Sequence, residues 1–138
     1  LRVKAQNKTA RKIAKWLEKH PLVAKVYYPG LKSHPDYLLG KKQMNGYSGM
    51  LSFELIAPLD PNKFMKQLKL VKQSMSLAGV ESTILSPSHT SHALLSPQER
   101  AHQGIADGLL RFSVGIEEKA DLLADLTQAF ESLTNKRD

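Results

Sequence analysis

The sequence contains no cysteine, which excludes disulfide bonds and metal sites built on thiolates. It also lacks a run of 18 apolar residues, so it offers no candidate membrane-spanning helix. Residues 1–4 contain neither an initiator methionine nor the apolar segment of a signal peptide. The missing cysteines fit a reducing compartment, and we expect a cytoplasmic location. Because the chain starts within a helical pattern, we also expect it to be part of a larger protein.

Acidic residues are also scarce. The 20 Lys and Arg residues outnumber the 13 Asp and Glu residues among 138 positions, and the formal net charge is +7. The positive charge is concentrated in residues 2–19, whereas most acidic residues lie in the C-terminal part. This charge raises the question of a nucleic-acid or anionic-membrane partner. The length and the 41% hydrophobic content predict a single domain with its own core.

Residues 2–19 are predicted to form an amphipathic helix that ends before His20-Pro21. Its apolar positions recur at steps of three and four residues, and Lys and Arg lie between them. The charged face is interpreted as solvated, or as facing an acidic partner domain, because Trp16 is the only aromatic residue within it. The alternative is a non-catalytic basic binding module that uses this helix to hold an anionic partner.

The remaining pattern alternates strands and helices. Strands are predicted at 23–28, 50–56, 73–77, 82–86 and 109–114, and helices at 33–39, 62–70, 96–104 and 117–133. The helix at 96 has the strongest start signal, with Ser96 as its cap, Pro97 next and Glu99 at the third position. This order predicts an α+β domain, an α/β sandwich in which a mixed sheet of about three to five strands carries helices mainly on one face.

Arg111 is the most distinctive single residue. It interrupts an apolar strand, where Leu110 and Phe112 share one face and Arg111 and Ser113 share the other. A guanidinium in that position either reaches solvent or a structural partner, or it binds a carboxylate or phosphate through its planar fork. The pattern alone leaves both interpretations open.

Two other segments carry polar groups without a complete motif. Residues 76–82, Ser-Leu-Ala-Gly-Val-Glu-Ser, match neither a nucleophile elbow nor a phosphate-binding loop. A turn inside a sheet is favoured over a catalytic loop for this segment. His89 and His92 lie three residues apart, but a metal site needs a further ligand and usually a rigid element. Loop histidines that cap backbone groups are the favoured interpretation, and no metal is expected.

Taken together, the motifs resemble one family closely. They lie at 76–82, 90–93, 98–100, 104–105, 107–117, 121–122 and 125–126, and upstream at 21–23, 28–31 and 49–55. They are similar to the Cys/Met-metabolism family of pyridoxal-phosphate enzymes, which includes cystathionine γ-synthase, cystathionine β- and γ-lyases and methionine γ-lyase. The resemblance covers essentially the whole chain, and it aligns only with the smaller, C-terminal domain of those enzymes.

The resemblance implies the fold and the chemistry. Residues 1–138 would form one C-terminal substrate domain of the aspartate-aminotransferase-like fold, known as fold type I. The cofactor would be pyridoxal 5'-phosphate, and the whole enzyme would be a lyase or transferase that eliminates or replaces groups at Cβ or Cγ of a sulfur amino acid. Its implied partners are its own N-terminal cofactor domain and further subunits, in a homotetramer built from active-site dimers, with no nucleic acid and no membrane.

The resemblance also implies roles for individual residues. Arg111 would hold the substrate α-carboxylate, and Ser76 would lie near both that carboxylate and the catalytic lysine. Met75, Leu77 and Ser91 would line the pocket, with Ser91 near the side-chain end of the substrate. The family's Schiff-base lysine, its cofactor-nitrogen aspartate and its phosphate cradle belong to the preceding domain. No catalytic residue is therefore expected in this chain, and the isolated chain is predicted to bind the cofactor poorly and to be inactive.

Three positions depart from the family pattern. Met75 stands where many γ-synthases and γ-lyases have glutamate, whereas methionine γ-lyases tend to be apolar there. Ala78 and Ser48 replace residues that are usually glycine, and both are small enough for the backbone path to survive. These departures leave the choice among β-elimination, γ-elimination and γ-replacement open.

Overall fold

A computed structural model describes residues 1–90 and 92–135 of the chain. The helices are α1 (Arg2–Glu18), α2 (Tyr37–Gln43), α3 (Pro61–Gln67), α4 (Pro97–His102) and α5 (Lys119–Thr134). The strands are β1 (Val23–Tyr27), β2 (Met50–Leu55), β3 (Lys72–Gln73), β4 (Thr83–Leu85) and β5 (Leu109–Ser113), and a 3-10 turn covers Pro87–His89. Within these described ranges, no helix is both long enough and apolar enough to cross a membrane.

The five strands form one mixed sheet in the order β1-β2-β5-β4-β3. The pairs β1–β2, β2–β5 and β4–β5 are antiparallel, whereas β3 runs parallel to β4 at the edge. The central strand β5 therefore has paired neighbours on both sides, and Arg111 lies at its middle position. The mixed sheet and the α+β class confirm the sequence prediction.

Helices α1, α3 and α5 bury their apolar sides against one face of the sheet. Alternate residues of β2 and β5 point to that face and are buried, namely Leu51, Phe53, Leu55, Leu110 and Phe112. The ring of Phe64 on α3 packs against Phe130 of α5, with 4.6 Å between centroids. This packing assigns the opposite face to the intervening strand residues, which include Ser52 and Arg111.

Buried Asp125 joins α5 to the connection between α3 and β3. Its carboxylate accepts hydrogen bonds from the backbone N–H groups of residues 69–71 at 2.8 to 2.9 Å and from Nε2 of Gln128 at 3.0 Å. Burial alone would raise the pKa of Asp125, but these donors outweigh it and lower the pKa. The start of β3 is therefore attached to the last helix.

Two predicted elements differ from the structure. The helix predicted over 33–39 begins only at Tyr37 and continues to Gln43, so the segment expected to cross the surface is helical. The delay has a local cause, because Nδ1 of His34 accepts a hydrogen bond from the N–H of Asp36 and holds a turn there. The strand predicted over 73–77 is confined to Lys72–Gln73, since the hydroxyl of Ser74 accepts from the N–H of Ser76 and turns the chain away.

The other boundaries agree to within three residues, the largest difference being the end of α3 at Gln67 instead of Leu70, and the 3-10 turn lies in a predicted loop. The predicted capping box of α4 is present, with the hydroxyl of Ser96 accepting from the N–H of Glu99 and the carboxylate of Glu99 accepting from the N–H of Ser96. The last helix begins at Lys119 instead of Glu117. The carboxylate of Glu117 instead accepts hydrogen bonds from Ser82.

Candidate functional site

Residues 74–82, called the site loop from here on, connect the parallel strands β3 and β4. The loop contains three exposed large apolar side chains, since Met75, Leu77 and Val80 are 63%, 51% and 48% exposed. Large apolar side chains left in solvent around a polar group are typical of a surface that meets a ligand or another part of a protein. The loop is therefore a candidate site.

Arg111 reaches the site loop from the centre of the sheet. It pairs with Ser52 on one side and Leu85 on the other, and its side chain is half-buried. Its Nη2 donates a hydrogen bond of 2.9 Å to the backbone oxygen of Met75. This contact uses one donor of a group that carries five, so further donors of the fork remain for another acceptor. The structure thus brings Arg111 to the peptide between Met75 and Ser76.

Ser76 has an exposed side chain and a backbone held on both sides. Its N–H donates to the hydroxyl of Ser74 at 3.1 Å, and its carbonyl accepts from the hydroxyl of Thr83 at 2.6 Å. Leu77 follows it on the exposed part of the loop. Ser91, the other residue predicted to line the pocket, lies outside the described residues. Arg111, Met75 and Ser76 therefore belong to one place, as the sequence predicted, while their roles stay predictions.

The far end of the site loop is fixed by Glu117, to which the sequence assigned no role. The N–H of Ser82 donates to Oε1 of Glu117 at 2.6 Å, and the hydroxyl of Ser82 donates to Oε2 at 2.8 Å. That hydroxyl also accepts from the N–H of Gly115 at 2.8 Å, and Ser82 is fully buried. Ser82 and Glu117 are 35 positions apart, so no local pattern indicates this contact.

Two further contacts hold the middle of the loop. The Nε2 of Gln6, on α1, donates to the carbonyl of Gly79 at 2.7 Å. The N–H of Ala78 donates to the hydroxyl of Ser113, at the end of β5, at 2.9 Å. Gln6 is buried although it lies on the mostly basic first helix. Part of α1 thus supports the site loop, and this is a use of the helix that its charge pattern does not indicate.

The two positions where glycine is usual in the resembling family have left-handed backbone conformations. Ala78 has φ +60° and Ser48 has φ +83°. Glycine adopts this region without steric cost, whereas a residue with a Cβ does not. The expected backbone path is thus retained despite both substitutions, at the expense of local strain.

A cavity of about 480 Å³ lies beside Met75. Its apolar wall consists of Met65, Met75, Ile84 and Leu85, and its polar wall of Asn62, Gln73, Ser74, Ser86, His89 and Thr90. The lining contains no Lys, Arg, Asp or Glu, and His89 is its only titratable residue. The cavity lies next to the residue that Arg111 contacts.

The two histidines of the adjacent segment belong to local structure. Nδ1 of His89 lies 2.9 Å from the hydroxyl of Ser86 and 3.0 Å from that of Ser88. The N–H of His92 donates to the carbonyl of Pro87 at 2.8 Å. His89 thus meets hydroxyl groups, where the sequence favoured the capping of backbone groups. Among residues 1–90 and 92–135, no cluster of three or more His, Asp or Glu side chains could hold a metal ion.

Comparison with known proteins identifies one family. Residues 1–131 match the family described as Cys/Met metabolism PLP-dependent enzyme. A cystathionine gamma-lyase from Dictyostelium discoideum is 47% identical over 132 residues, which cover 95% of this chain and 34% of that protein. The chain therefore spans about a third of the length of this relative.

Two solved structures have the same fold over nearly the whole chain. Cystathionine gamma-lyase from Lactobacillus plantarum, complexed with L-serine, superposes with a TM-score of 0.92 at 41% identity, covering 96% of this chain and 35% of that one. Cystathionine gamma synthase from Xanthomonas oryzae pv. oryzae, in complex with cystathionine, gives a TM-score of 0.90 at 38% identity, covering 97% and 35% respectively.

Proposed function

Because this chain belongs to the Cys/Met metabolism family of pyridoxal-phosphate-dependent enzymes, we propose that it is the part of such an enzyme that binds the α-carboxylate of a sulfur-containing amino acid. Arg111 is the residue that binds it. The observation that carries this proposal is the position of the guanidinium, half-buried on the central strand and directed at the exposed site loop by its bond to Met75. Relatives that are similar over this region include a cystathionine gamma-lyase, a cystathionine gamma-synthase and an L-methionine gamma-lyase.

The fixed fork of Arg111 is suited to hold a carboxylate in one orientation. The bond from Nη2 to the carbonyl of Met75 limits rotation of the guanidinium, so its remaining N–H groups have a defined direction. Ser76 lies next to that carbonyl and presents an exposed side chain. We assign it a second contact to the carboxylate, with Leu77 and Ser91 along the pocket wall. Together these residues would orient the Cα of a bound amino acid.

The family's cofactor, pyridoxal phosphate, supplies the electron-withdrawing chemistry at the Cα of a bound amino acid. Its attachment needs a lysine, and its phosphate needs cationic or N–H donors. The described lining of the 480 Å³ cavity contains neither lysine nor arginine. Lys72, near the site loop, already contacts Glu81 at 3.0 Å. The lining of this cavity therefore does not fit the cofactor, and we propose that the cofactor binds to another part of the enzyme.

The cavity, whose lining contains no Lys, Arg, Asp or Glu, favours an uncharged substrate side chain. A carboxylate on Arg111 places the rest of the amino acid close to Met75, whose side chain lines the cavity together with Ile84 and Leu85. Burial of a charged group in such a space is costly without a partner. A thioether side chain such as that of methionine therefore suits the cavity better than one ending in a charged amino acid, as cystathionine does.

The remaining parts of the proposal concern the whole enzyme. We place the cofactor-binding domain before this substrate domain, and we propose that the isolated chain turns over no substrate. The assembled enzyme would be a homotetramer built from active-site dimers, located in the cytoplasm. Family membership supports these proposals, and a mass measurement on the full-length protein tests the tetramer.

The carboxylate role is tested by exchanging Arg111 for lysine in the full-length enzyme. Arg111→Lys keeps the charge but removes the planar fork, so kcat/KM for the amino acid substrate is expected to fall roughly 100-fold, mainly through KM. Arg2→Lys, on the exposed side of α1, is the matched control and should leave the kinetics unchanged. An Arg111→Lys enzyme with native kinetics would disprove the assignment.

A further inference from the structure

We propose that Glu117 is a positioning residue for the carboxylate site, acting through Ser82 on the site loop. The inference rests on the function proposed for Arg111. Both oxygens of Glu117 accept hydrogen bonds from Ser82, so the effect of Glu117 on the site passes through the backbone of the loop.

The guanidinium of Arg111 is coupled to the site loop by one hydrogen bond. The guanidinium donates from Nη2 to the carbonyl of Met75 at 2.9 Å. Its direction therefore depends on where that carbonyl lies. A displacement of the loop by a fraction of an ångström would redirect the donors that face a carboxylate, and hydrogen bonds weaken steeply when their angle is lost.

The site loop is coupled to Glu117 through Ser82 and Thr83. The carbonyl of Ser76 is tied to the hydroxyl of Thr83, the residue directly after Ser82. Ser82 is in turn held by both oxygens of Glu117 and by the N–H of Gly115. The Ser76–Leu77 peptide, directly after the peptide that Arg111 contacts, is thus held by the same end of the loop that Glu117 fixes.

The contact with Ser82 requires a carboxylate at position 117. Ser82 offers Glu117 two donors, its N–H and its hydroxyl, and only a carboxylate accepts on both oxygens. An amide accepts on one oxygen and presents an NH₂ group to the other donor. In Glu117→Gln either the N–H of Ser82 faces a second donor, or the hydroxyl proton of Ser82 loses its acceptor. Because Ser82 is fully buried, water cannot replace the missing partner.

The experiment compares two substrates in the full-length enzyme, an amino acid and its α-carboxamide. The ratio of their kcat/KM values reports how well the enzyme recognises the carboxylate. In Glu117→Gln this ratio should fall about tenfold, which is the effect of a 1.4 kcal/mol loss. The matched control is Glu118→Gln, which removes the same charge from the neighbouring exposed residue and should leave the ratio unchanged.

A merely structural role of Glu117 would lower the amount of active enzyme for both substrates equally, and the ratio would stay at its native value; that result overturns the inference. Arg111→Lys is measured in parallel. If it leaves the ratio unchanged, the proposed function fails as well, whereas a reduced ratio in Arg111→Lys alone disproves only the role of Glu117. Should Glu117→Gln not fold, Ser82→Ala removes one of the two contacts and is judged by the same ratio.

Discussion

Ser82 gives both of its hydrogen-bond donors to the two oxygens of Glu117. The pair joins the segment after β5 to the end of the site loop, and Gly115 completes the junction by donating to the hydroxyl of Ser82. The carbonyl contacted by Arg111 and the anchor of the loop therefore belong to one connected set of bonds. Several measurable properties of the chain depend on this set and on the buried polar groups around it.

Gly115→Ala should disrupt the junction. A Cβ at this position would overlap the carbonyl oxygen of Val80 and would lie 2.5 Å from Oε2 of Glu117 and 2.7 Å from the carbonyl carbon of Glu81. These contacts are too short, and two of the three neighbours are backbone, so we expect a loss of about 2–3 kcal/mol in the free energy of unfolding. Gly79→Ala is the control, because nothing lies within 4 Å of its added Cβ. Equal urea midpoints for the two variants would contradict the prediction.

Ala78→Gly should stabilise the chain. Ala78 has φ +60°, a conformation that costs a residue with a Cβ about 1–2 kcal/mol. Glycine removes this strain but increases the entropy of the unfolded chain, which offsets about 0.5–1 kcal/mol. The net expectation is a rise of about 0.5 kcal/mol in the free energy of unfolding, from urea titration. The hydrogen bond from its N–H to Ser113 is unaffected by the exchange. A loss of stability would show that the left-handed turn is not strained.

Asp125→Asn should destabilise the connection before β3. An amide can accept on only one oxygen, so at least one of the N–H groups of residues 69–71, of which that of Val71 is buried, loses its partner. We expect a loss of about 3 kcal/mol in the free energy of unfolding, measured by urea titration at pH 7. Asp121→Asn, an exposed position on the same helix, removes the same charge and should cost less than about 1 kcal/mol.

Asp125 also predicts how stability changes in acid. Its pKa is lowered in the folded chain, so the folded state binds the proton less readily than the unfolded state does. The stability that it contributes is present above the ordinary value of 3.8 and is lost as the pH falls below that value through the folded pKa. The acid loss measured from pH 5 downward should be smaller in Asp125→Asn than in the native chain. An identical pH profile would contradict this.

Tyr28 predicts the opposite behaviour in alkali. Burial raises the pKa of its hydroxyl to about 12, and that hydroxyl donates to the carbonyl of Ser48 at 2.9 Å. A group whose pKa is raised on folding contributes stability below its unfolded pKa, ordinarily 10.0, and loses it as the pH rises through 12. Thermal unfolding between pH 9 and 12 should therefore show a decline. In Tyr28→Phe this decline should be reduced, because Phe does not ionise.

The isolated chain should show no activity. Mixing it with pyridoxal phosphate and methionine should give neither a cofactor absorbance band attached to the protein nor thiol release, because the described cavity offers no lysine for the cofactor. The full-length enzyme under the same conditions is the positive control. Thiol release by the 138-residue chain alone would disprove the proposed division of roles.

The sequence predicted the fold where short-range signals suffice. The period of α1, the alternation of β2 and the capping box at Ser96 are all properties of neighbouring residues, and each of these elements is present. The short edge strand β3 was overestimated, because the hydroxyl of Ser74 ends it through a turn that β propensity does not reveal. The start of α2 was placed too early for a similar reason at His34.

Some residues of the candidate site were named from the sequence, and their roles remain predictions. The pattern of β5 directed attention to Arg111, and the resemblance added Ser76 and Met75, which the structure brings together. The contacts that hold the loop were not predictable, because Ser82 and Glu117 meet only through the tertiary fold. For Asp125 a signal existed, since it lies between the buried residues Leu122 and Leu126 on the apolar side of α5. An acidic residue in such a position predicts a buried acceptor.

The parallel pairing of β3 and β4 limits how this protein can change. Parallel neighbours usually require a connection of a dozen or more residues, yet residues 74–82 complete the return here. Because this connection is short, a deletion within residues 74–82 is expected to separate β3 from β4. An insertion there is expected to move the carbonyl that orients Arg111. Insertions and deletions in residues 74–82 are thus expected to disturb the proposed carboxylate site. We expect related sequences to keep the length of this loop and to differ in the side chains that the loop exposes.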